Sequence, residues 1–369
     1  MAAVGNRLLM LVPSVGSAFG EQVEVLAKHL RDYGVRVFLV VPGHYYEERP
    51  RHPDDWVIKT TGSKLVAAIR LLSPLMLWSL TRYLFRVMPR WVYVYCGEAY
   101  PPAMLVLLLC RLLRIKSVLS IHDAVPHPGK FFDFALGTLR LPSLHLTSVL
   151  HTFSEHARGV LKRRFPHKHV IASPLLDLAE LYLRYPAIRN VARELVLCFG
   201  RIEPYKDIPC VVAAFTGLRR NHPSAMLRIV GKNGLGRELF SITKGVPNCQ
   251  IINKFLPPFA LAEELSAAQV CIFAYSEASH SGGAELALAF GCNVVATRVP
   301  AFNGIAGLPG VFLFEPGNAQ DCTEALARAV NTPKRSRDRN ALERVVSSNQ
   351  ERARLFLHQA QVVDVANFV

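Results

Sequence analysis

Two basic side chains that follow a buried strand offer the clearest chemistry in this sequence. The stretch LCFGRIEPYKD runs from apolar residues through Gly200 into a loop that carries Arg201 and Lys206. Side chains just beyond the end of a parallel strand face the ligand that occupies the carboxyl edge of the sheet. A guanidinium holds two phosphate oxygens at once, and an ammonium adds a point charge. We therefore predict that both residues bind a phosphate, against the alternative that Arg201 pairs with Glu203 in a solvated loop.

A second anion site is predicted at the start of a later helix. In the stretch YSEASHSGGAELALAF, Ser281, Gly282 and Gly283 open the helix directly after a strand and a short loop. Free amides at a helix start, together with the helix dipole, attract anions without a metal. The same residues also fit an ordinary helix cap. Glu277, in the loop before them, is placed to accept hydrogen bonds from sugar hydroxyls.

The first half of the chain offers two further candidates at strand ends. VPSVGSAFGEQ places Gly16 between the first strand and its helix, where the backbone can approach a ligand, or where it simply makes a tight turn. SIHDAVPHPG ends a strand with His122 and Asp123. A histidine there can hydrogen-bond a sugar hydroxyl near neutral pH, or it can cap the loop that follows.

Strand-like and helix-like stretches alternate along the whole chain and must position these side chains. Such alternation predicts an α/β protein with parallel sheets covered by helices on both faces. The alternation begins again near residues 180–193. We therefore predict a first domain over residues 1–185, a second over 186–345, and a C-terminal helix in 346–369 that crosses back to the first domain.

Composition limits the partners and the compartment. The 369 residues include 43 Lys and Arg against 28 Asp and Glu, a net charge of +15, and 51% of them are hydrophobic. The chain should therefore fold and attract polyanions, but it shows none of the spacings typical of nucleic-acid-binding motifs. Its eight cysteines form no C-x-x-C pair, which indicates reduced thiols. The apolar runs are too short to cross a membrane, and the N-terminus reads as a strand rather than a signal peptide.

A basic and apolar stretch in the first half predicts contact with an anionic membrane surface. No acidic residue occurs between Lys59 and Arg90, where basic residues alternate with leucine-rich segments. This composition suits a helix that lies in a lipid interface, with tryptophan as an anchor. The alternative is an ordinary helix pair with solvated arginines. The residues predicted to face the membrane are Lys64, Arg70, Trp78, Arg82, Arg86 and Arg90.

Three stretches of the second half resemble a known family. FGRIEPYKD, LRIVGKNG and YSEASHSGGAELALAFGCNVVAT, in this order, are similar to the donor-binding half of retaining glycosyltransferases of family 4. SIHD is similar to the histidine region of that family's first domain. The resemblance covers the chain end to end and is most specific in residues 195–297. It implies the GT-B architecture, in which two Rossmann-like, doubly wound domains face an interdomain cleft.

The resemblance also implies roles for individual residues. The second domain would hold a nucleotide-diphospho-sugar, with Arg201 and Lys206 on the diphosphate and Glu277 on the donor sugar. The amides near Ser281, Gly282 and Gly283 would help, and Gly16 would lie close to the donor. His122 would lie beside the reacting sugar, so the expected catalytic residues are His122 and Glu277, and a role for Asp123 is left open.

One position departs from the common pattern of the family. Seven residues separate Glu277 from Glu285, as in the paired glutamates of the family, but Gly291 lies one residue too far from Glu285 for the usual E-A-x-A-x-G. Alignment on Gly291 matches a branch that has S-G and no second acid. Glu285 as a ligand of the nucleotide ribose is therefore left open.

The expected function is a retaining hexosyltransferase that needs no cofactor beyond its nucleotide-sugar co-substrate. The sequence contains no D-x-D, so we expect no metal. The basic first half suggests a lipid-linked saccharide or other glycan as acceptor, in bacterial-type cell-surface or exopolysaccharide synthesis. The chain would then be cytoplasmic and peripheral on the inner face of the membrane. The alternative is a catalytically degenerate, glycosyltransferase-like subunit that binds the membrane as a scaffold.

Overall fold

The computed structural model of the chain divides into two compact units. The first comprises the described residues up to Leu176 together with those from Ser347 onward, and the second comprises Asp177–Val346. Each unit has its own hydrophobic core. The structure describes residues 6–12, 18–42, 52–58, 73–98, 100–122, 140–186, 194–277, 282–337 and 340–361.

The first unit is built on a parallel sheet of seven strands. The strands are β1 (Arg7–Leu11), β2 (Arg36–Pro42), β3 (Trp56–Ile58), β4 (Trp91–Val94), β5 (Lys116–Ser120), β6 (Val149–Thr152) and β7 (His169–Ala172). Their order along the sheet is β3-β2-β1-β4-β5-β6-β7. Most of their residues are buried and apolar, as expected for strands that helices cover on both faces.

Helices connect these strands and supply the rest of the first core. They are α1 (Ala18–Asp32), α2 (Pro74–Val87), α3 (Pro101–Leu112), α4 (Leu141–Leu146) and α5 (Glu155–Arg164). The helix α2 begins at the cap residue Ser73, whose hydroxyl accepts a hydrogen bond from the Met76 amide at 3.2 Å. Its inner face packs on the core through Leu80, Leu84 and Val87. The opposite face of α2 is therefore left to solvent.

The second unit repeats the same plan with six parallel strands. The strands are β8 (Leu195–Phe199), β9 (Met226–Val230), β10 (Cys249–Ile252), β11 (Val270–Phe273), β12 (Asn293–Thr297) and β13 (Val311–Phe314). Their order is β10-β9-β8-β11-β12-β13. The helices are α6 (Ala179–Leu183), α7 (Ile208–Leu218), α8 (Arg237–Thr243), α9 (Pro258–Ala267), α10 (Gly282–Ala289) and α11 (Ala319–Asn331).

Each sheet reverses its strand order at one place. The reversal lies between β1 and β4 in the first unit and between β8 and β11 in the second. In open α/β sheets, ligands bind outside the carboxyl ends of the strands at this switch point. The predicted architecture of two Rossmann-like α/β domains is confirmed, and Arg201 and Glu277 follow the two strands that flank the switch point of the second sheet.

The division between the units lies upstream of the predicted boundary at residues 185 and 186. The five residues of α6 are all buried, and this helix packs on α9 and α10 within the second unit. The carbonyls of Leu183 and Tyr185 accept hydrogen bonds from Arg337 of the same unit. Apolar residues of this segment form no strand, so the sequence pattern did not show to which core they belong.

The last helix passes from one unit to the other. It is α12 (Ala341–Gln359), and its residues from Ser347 onward belong to the first unit. There the ring of Phe356 lies 5.0 Å from that of Tyr93, and Arg352 donates a hydrogen bond of 2.5 Å to the Leu175 carbonyl. The residues of α12 from Ser347 onward therefore add to the core of the first unit.

Candidate functional site

The loop after β8 is held against the loop after β9 by two glycines. Gly200 has a φ of +94° and Gly231 a φ of +153°. A Cβ atom on Gly231 would lie 1.8 Å from the carbonyl oxygen of Gly200, so no other residue fits there without moving the backbone. The contact continues in a parallel bridge between Ile202 and Asn233. The loops that contain FGR and VGKN, two of the stretches singled out in the sequence, therefore pack directly on each other.

Lys206 is a buried cation beneath this loop. It ends a short 3₁₀ helix, Pro204–Lys206, and only 5% of its surface is exposed. Its Nζ donates a hydrogen bond of 2.7 Å to the Phe199 carbonyl and lies 5.6 Å from the centre of the Tyr275 ring. Burial lowers the pKa of the ammonium, and the nearby charge of Arg201 lowers it further. An anion at this point would relieve both effects.

Arg201 lies at the surface beside this buried lysine. Its charge acts on the pKa of both Lys206 and Tyr205, which places the guanidinium near both side chains. Within the described residues the guanidinium makes no hydrogen bond and no ion pair, and the alternative pairing with Glu203 is not formed. The five N–H groups of Arg201 therefore have no protein partner in this part of the chain.

The loop after β11 joins the loop after β8. The amide of Ser276 donates a hydrogen bond of 2.7 Å to the Tyr205 carbonyl, and the rings of Tyr205 and Tyr275 meet edge to face at 5.2 Å. The next residue is Glu277, which is exposed. The structure therefore brings the predicted diphosphate loop and the strand end before the predicted sugar ligand together across the switch point.

The helix α10 begins beyond a short gap in the described residues. Gly282 starts it and is exposed, and a Cβ on Gly283 would lie 3.1 Å from the Phe273 ring. The first turn of α10 therefore packs closely on the end of β11. Glu285 is exposed in the same turn. Ser281 lies outside the described residues.

In the first unit, His122 lies two residues beyond the end of β5 and is exposed. Its ring centre is 5.5 Å from that of Phe19, in an edge-to-face arrangement, and 6.0 Å from that of Phe153. Tyr95 touches both phenylalanines, at 6.2 and 6.1 Å. Gly16 and Asp123, the other candidates of this unit, lie outside the described residues.

Sequence reasoning missed the aromatic residues around His122. Tyr95 and Phe153 each come directly after a strand, β4 and β6, which flank β5 in the sheet. The stretches YVYC and LHTF contain this signal, because the first residue after each parallel strand reaches the same edge of the sheet. Tyr95 is buried beneath this edge, whereas Phe153 and Phe19 are half-buried and offer apolar surface on which a sugar ring can pack.

A second histidine of this unit is structural. His151 is buried between the Tyr93 hydroxyl, 2.7 Å from its Nδ1, and the Ser173 hydroxyl, 2.8 Å from its Nε2. Burial lowers its pKa to about 3, so the ring stays neutral. Both ring nitrogens are engaged by neutral partners, and His151 fixes the ends of β4, β6 and β7 rather than titrating near neutral pH.

The predicted membrane-facing residues that the structure describes lie on or just after α2. Leu75, Trp78, Arg82 and Phe85 recur at intervals of three and four residues and so lie on one side of the helix. Trp78 is 60% exposed and Leu75 is 78% exposed. The Arg82 guanidinium lies 5.4 Å from the Trp78 ring. Arg86 and Arg90 are also exposed, whereas Lys64 and Arg70 lie outside the described residues.

Comparison with known families decides the enzyme class. Residues 193–332 match the family model described as glycosyl transferases group 1. This segment is therefore similar to glycosyltransferase group 1 domains. It contains the loops after β8, β9 and β11 and the start of α10, which are the elements that form the site of the second unit. The prediction of a glycosyltransferase of GT-B fold is confirmed, while the assignment to a branch with S-G stays a prediction.

Solved structures that resemble the glycosyltransferase chain share its fold at low sequence identity. Sucrose-phosphate synthase from Thermosynechococcus elongatus is 16% identical, with a TM-score of 0.59 over 96% of this chain and 97% of that chain. An E. coli structure described as trehalose-6-phosphate bound with UDP-2-fluoro glucose is 13% identical, with a TM-score of 0.62 over 97% and 100%. UDP-GlcNAc 2-epimerase from Methanocaldococcus jannaschii is 12% identical, with a TM-score of 0.56 over 93% and 99%. A comparison with curated protein sequences gave no significant match.

Two features of the described ranges concern membranes and metals. Within those ranges no helix has both the length and the apolar composition needed to cross a bilayer. In the same part of the chain, no group of three or more His, Cys, Asp or Glu side chains is placed to hold a metal ion. All eight cysteines lie within the described ranges, and none of them forms a disulfide there.

Proposed function

We propose that this chain transfers a hexosyl group from a nucleotide diphosphate to a saccharide carried by a lipid. The transfer retains the anomeric configuration and requires no metal. It takes place on the inner, anionic face of a membrane, in the synthesis of a bacterial-type surface or exported polysaccharide. The second unit binds the donor and the first unit binds the acceptor.

The observation that carries this proposal is the cation pair at the switch point of the second sheet. Lys206 holds a buried ammonium there, and Arg201 presents a guanidinium with no partner in the described residues. Lys206 forms no ion pair within the described residues, although the charge of Glu203 acts to raise its pKa. A buried ammonium without a paired anion is costly unless a ligand supplies one. A diphosphate supplies it. The related E. coli structure, whose ligand is UDP-2-fluoro glucose, supports a nucleotide sugar as that ligand.

The reaction follows from where charge develops. As the bond between the sugar and the diphosphate breaks, negative charge grows on the leaving oxygen, and Arg201, Lys206 and the first amides of α10 stabilise it. The acceptor hydroxyl attacks from the same face of the sugar, and its proton passes to the departing phosphate oxygen. Glu277 accepts hydrogen bonds from the donor sugar, and His122 with its aromatic neighbours orients the reacting groups. Glu285 is left as a candidate ligand of the ribose.

The proposed membrane contact rests on α2. The apolar side chains of its exposed face enter the interface, and Arg82, Arg86 and Arg90 meet anionic headgroups. Each basic side chain near an anionic surface contributes about 1 kcal/mol. A lipid-linked acceptor would then reach the enzyme by diffusion within the membrane rather than from solution.

The test is a panel of nucleotide sugars scored by thermal shift and by transfer to a lipid-linked acceptor. The correct donor stabilises the protein by RT ln(1 + [L]/Kd), so the shift grows with the logarithm of its concentration. Arg201→Ala and Lys206→Ala should remove that shift. Arg220→Ala, which removes an exposed charge at the far end of α7, should keep it. An unchanged shift in both site variants refutes the diphosphate role, and loss of transfer in EDTA refutes metal independence.

Epimerisation of a nucleotide sugar is a second candidate activity, because an epimerase has the same fold. A UDP-GlcNAc 2-epimerase shares the fold over nearly its whole length, so the fold alone does not separate transfer from epimerisation. The family match favours transfer. Incubation with the donor alone distinguishes the two, because an epimerase converts the nucleotide sugar without any acceptor. A degenerate scaffold subunit would do neither and would give no turnover with any donor and acceptor.

A further inference from the structure

A cavity of about 190 Å³ lies in the first unit at the amino-terminal edge of its sheet. Three arginines line it: Arg7 begins β1, Arg36 begins β2, and Arg86 lies in the last turn of α2. Asp54 and Tyr83 complete its polar wall. The switch-point residues follow the carboxyl ends of strands, so this cavity is separate from the site that surrounds His122.

The positive charge of the cavity exceeds its negative charge. Asp54 is the acidic residue in the lining, and Arg36 pairs with it at 2.8 Å. Arg7 donates one hydrogen bond of 3.0 Å to the Val87 carbonyl, which leaves four of its five N–H groups. Arg86 makes no hydrogen bond or ion pair within the described residues. Two guanidinium charges are therefore left without a carboxylate in the wall.

Tyr83 adds a polar group without adding charge. Its hydroxyl donates a hydrogen bond of 2.6 Å to the Asp54 carbonyl. Burial raises the pKa of the phenol to about 12, so it stays protonated under ordinary conditions. The cavity is smaller than the roughly 300–1,000 Å³ of pockets that enclose drug-sized ligands. Its size and charge fit a compact anion with several acceptor oxygens.

The cavity adjoins the exposed apolar face of α2. Arg86 lies between Phe85, which is exposed on that face, and Val87, which is buried in the core. Arg82 lies one turn earlier on the same face and does not line the cavity. An anion bound to Arg86 would therefore lie at the edge of the surface formed by Leu75, Trp78 and Phe85.

We propose that this cavity binds the phosphate of an anionic lipid headgroup while the apolar face of α2 enters the lipid. The site is distinct from the donor and acceptor sites, and the inference rests on the membrane contact in the proposed function. Guanidinium groups bind phosphate oxygens in pairs of parallel hydrogen bonds. Arg86 and Arg7 supply these bonds, and the Arg36–Asp54 pair holds the wall in place. The lipid source is favoured because apolar and cationic groups meet at this one place.

The experiment compares two variants of the full chain that remove the same charge from the same helix. Binding is measured by flotation with vesicles of phosphatidylglycerol and phosphatidylcholine in equal parts. Arg82→Gln loses surface attraction and the contact of its guanidinium with the Trp78 ring, but no group of the cavity, so we expect about a 5-fold weaker partition. Arg86→Gln also loses a hydrogen bond to a charged group, so we expect a partition weaker by about 50-fold or more. Both side chains are exposed, so both variants should keep the melting temperature.

Two outcomes would overturn the proposal. Equal losses in Arg82→Gln and Arg86→Gln would show attraction by charge alone. The second outcome is a saturable thermal shift by inorganic phosphate, at constant ionic strength, that is lost only in Arg86→Gln. If vesicle binding then stays equal in the two variants, the ligand is a soluble phosphate and not a lipid.

The experiments distinguish a failure of the proposed transferase activity from a failure of the proposed headgroup site. The shift produced by a nucleotide sugar should be the same in Arg86→Gln as in the unmodified chain. If no nucleotide sugar stabilises the unmodified chain but the vesicle contrast persists, the headgroup site stands without the transferase.

Discussion

Replacement of Lys206 by methionine separates ligand binding from folding. Methionine has a similar length and no branch, so it fits the space of a side chain that is 5% exposed. The change removes the ammonium and its hydrogen bond to the Phe199 carbonyl. The lost hydrogen bond is offset by the removal of a desolvated charge, so the free energy of unfolding should change by no more than about 1–2 kcal/mol.

The loss of donor affinity should be larger. An ammonium has three N–H groups, and one of those on Lys206 is taken by the Phe199 carbonyl. A hydrogen bond from one of the other two to a phosphate oxygen contributes about 1.5–3 kcal/mol, which corresponds to about 10- to 150-fold in Kd. Calorimetric titration with the nucleotide sugar that gives the largest thermal shift measures this change, with Arg220→Ala as the control.

A Kd for Lys206→Met within about twofold of the unmodified value, at an unchanged melting temperature, would refute the reasoning. Lys206 would then only stabilise the loop after β8, through its hydrogen bond to the Phe199 carbonyl, and only Arg201 would remain as a diphosphate ligand. A fall in melting temperature together with a rise in Kd would point to loss of the loop instead. A normal Kd in Arg201→Ala would remove the diphosphate site altogether.

Three further predictions concern the backbone at the site, the first unit and pH. Gly200→Ala and Gly245→Ala both force alanine into a left-handed backbone, and each should lose about 1–2 kcal/mol of stability. A Cβ on Gly200 meets Lys206 Nζ at 2.8 Å and one on Gly245 meets nothing, so only Gly200→Ala should abolish the donor-dependent shift in melting temperature. His122→Ala should abolish transfer, measured with radiolabelled donor, while the donor-dependent shift stays; loss of both would contradict a role in the first unit alone. Hydrogen bonds from Ser224 and His222 lower the pKa of Glu194 from its ordinary value of 4.5. The ionised carboxylate therefore contributes about 0.5–1 kcal/mol to the free energy of unfolding above that pH, and this contribution is lost as the pH falls through the lowered pKa. Chemical denaturation should therefore show Glu194→Gln less stable at neutral pH and equal at pH well below 4, and a gap that persists in acid would count against the linkage.

The parts of the fold that depend on local pattern were predictable. LVLCF reads as a buried strand and folds as β8, and the glycine and basic residues after it lie where the carboxyl edge of a parallel sheet must place them. The domain boundary was displaced because α6 has an apolar composition that fits either core. Neither the strand pattern nor the turn residues showed whether α6 packs on the core of the first unit or on that of the second.

The rest of the site depends on contacts between distant segments. The need for glycine at 231 comes from its approach to Gly200, which no local pattern encodes. Phe19, in the first turn of α1, and Phe153, just after β6, contact the His122 ring only once α1, β5 and β6 have come together. Arg7, Arg36 and Arg86 share a cavity only after β1, β2 and α2 have packed.

The course of α12 has a consequence for synthesis of the protein. A ribosome completes the second unit, a single stretch of chain, before it releases the residues that place Phe356 against Tyr93. Part of the core of the first unit therefore stays exposed to solvent until the last turns of α12 emerge from the ribosome. A stop codon after residue 346 would leave a complete second unit joined to a first unit that lacks the buried side chains of α12.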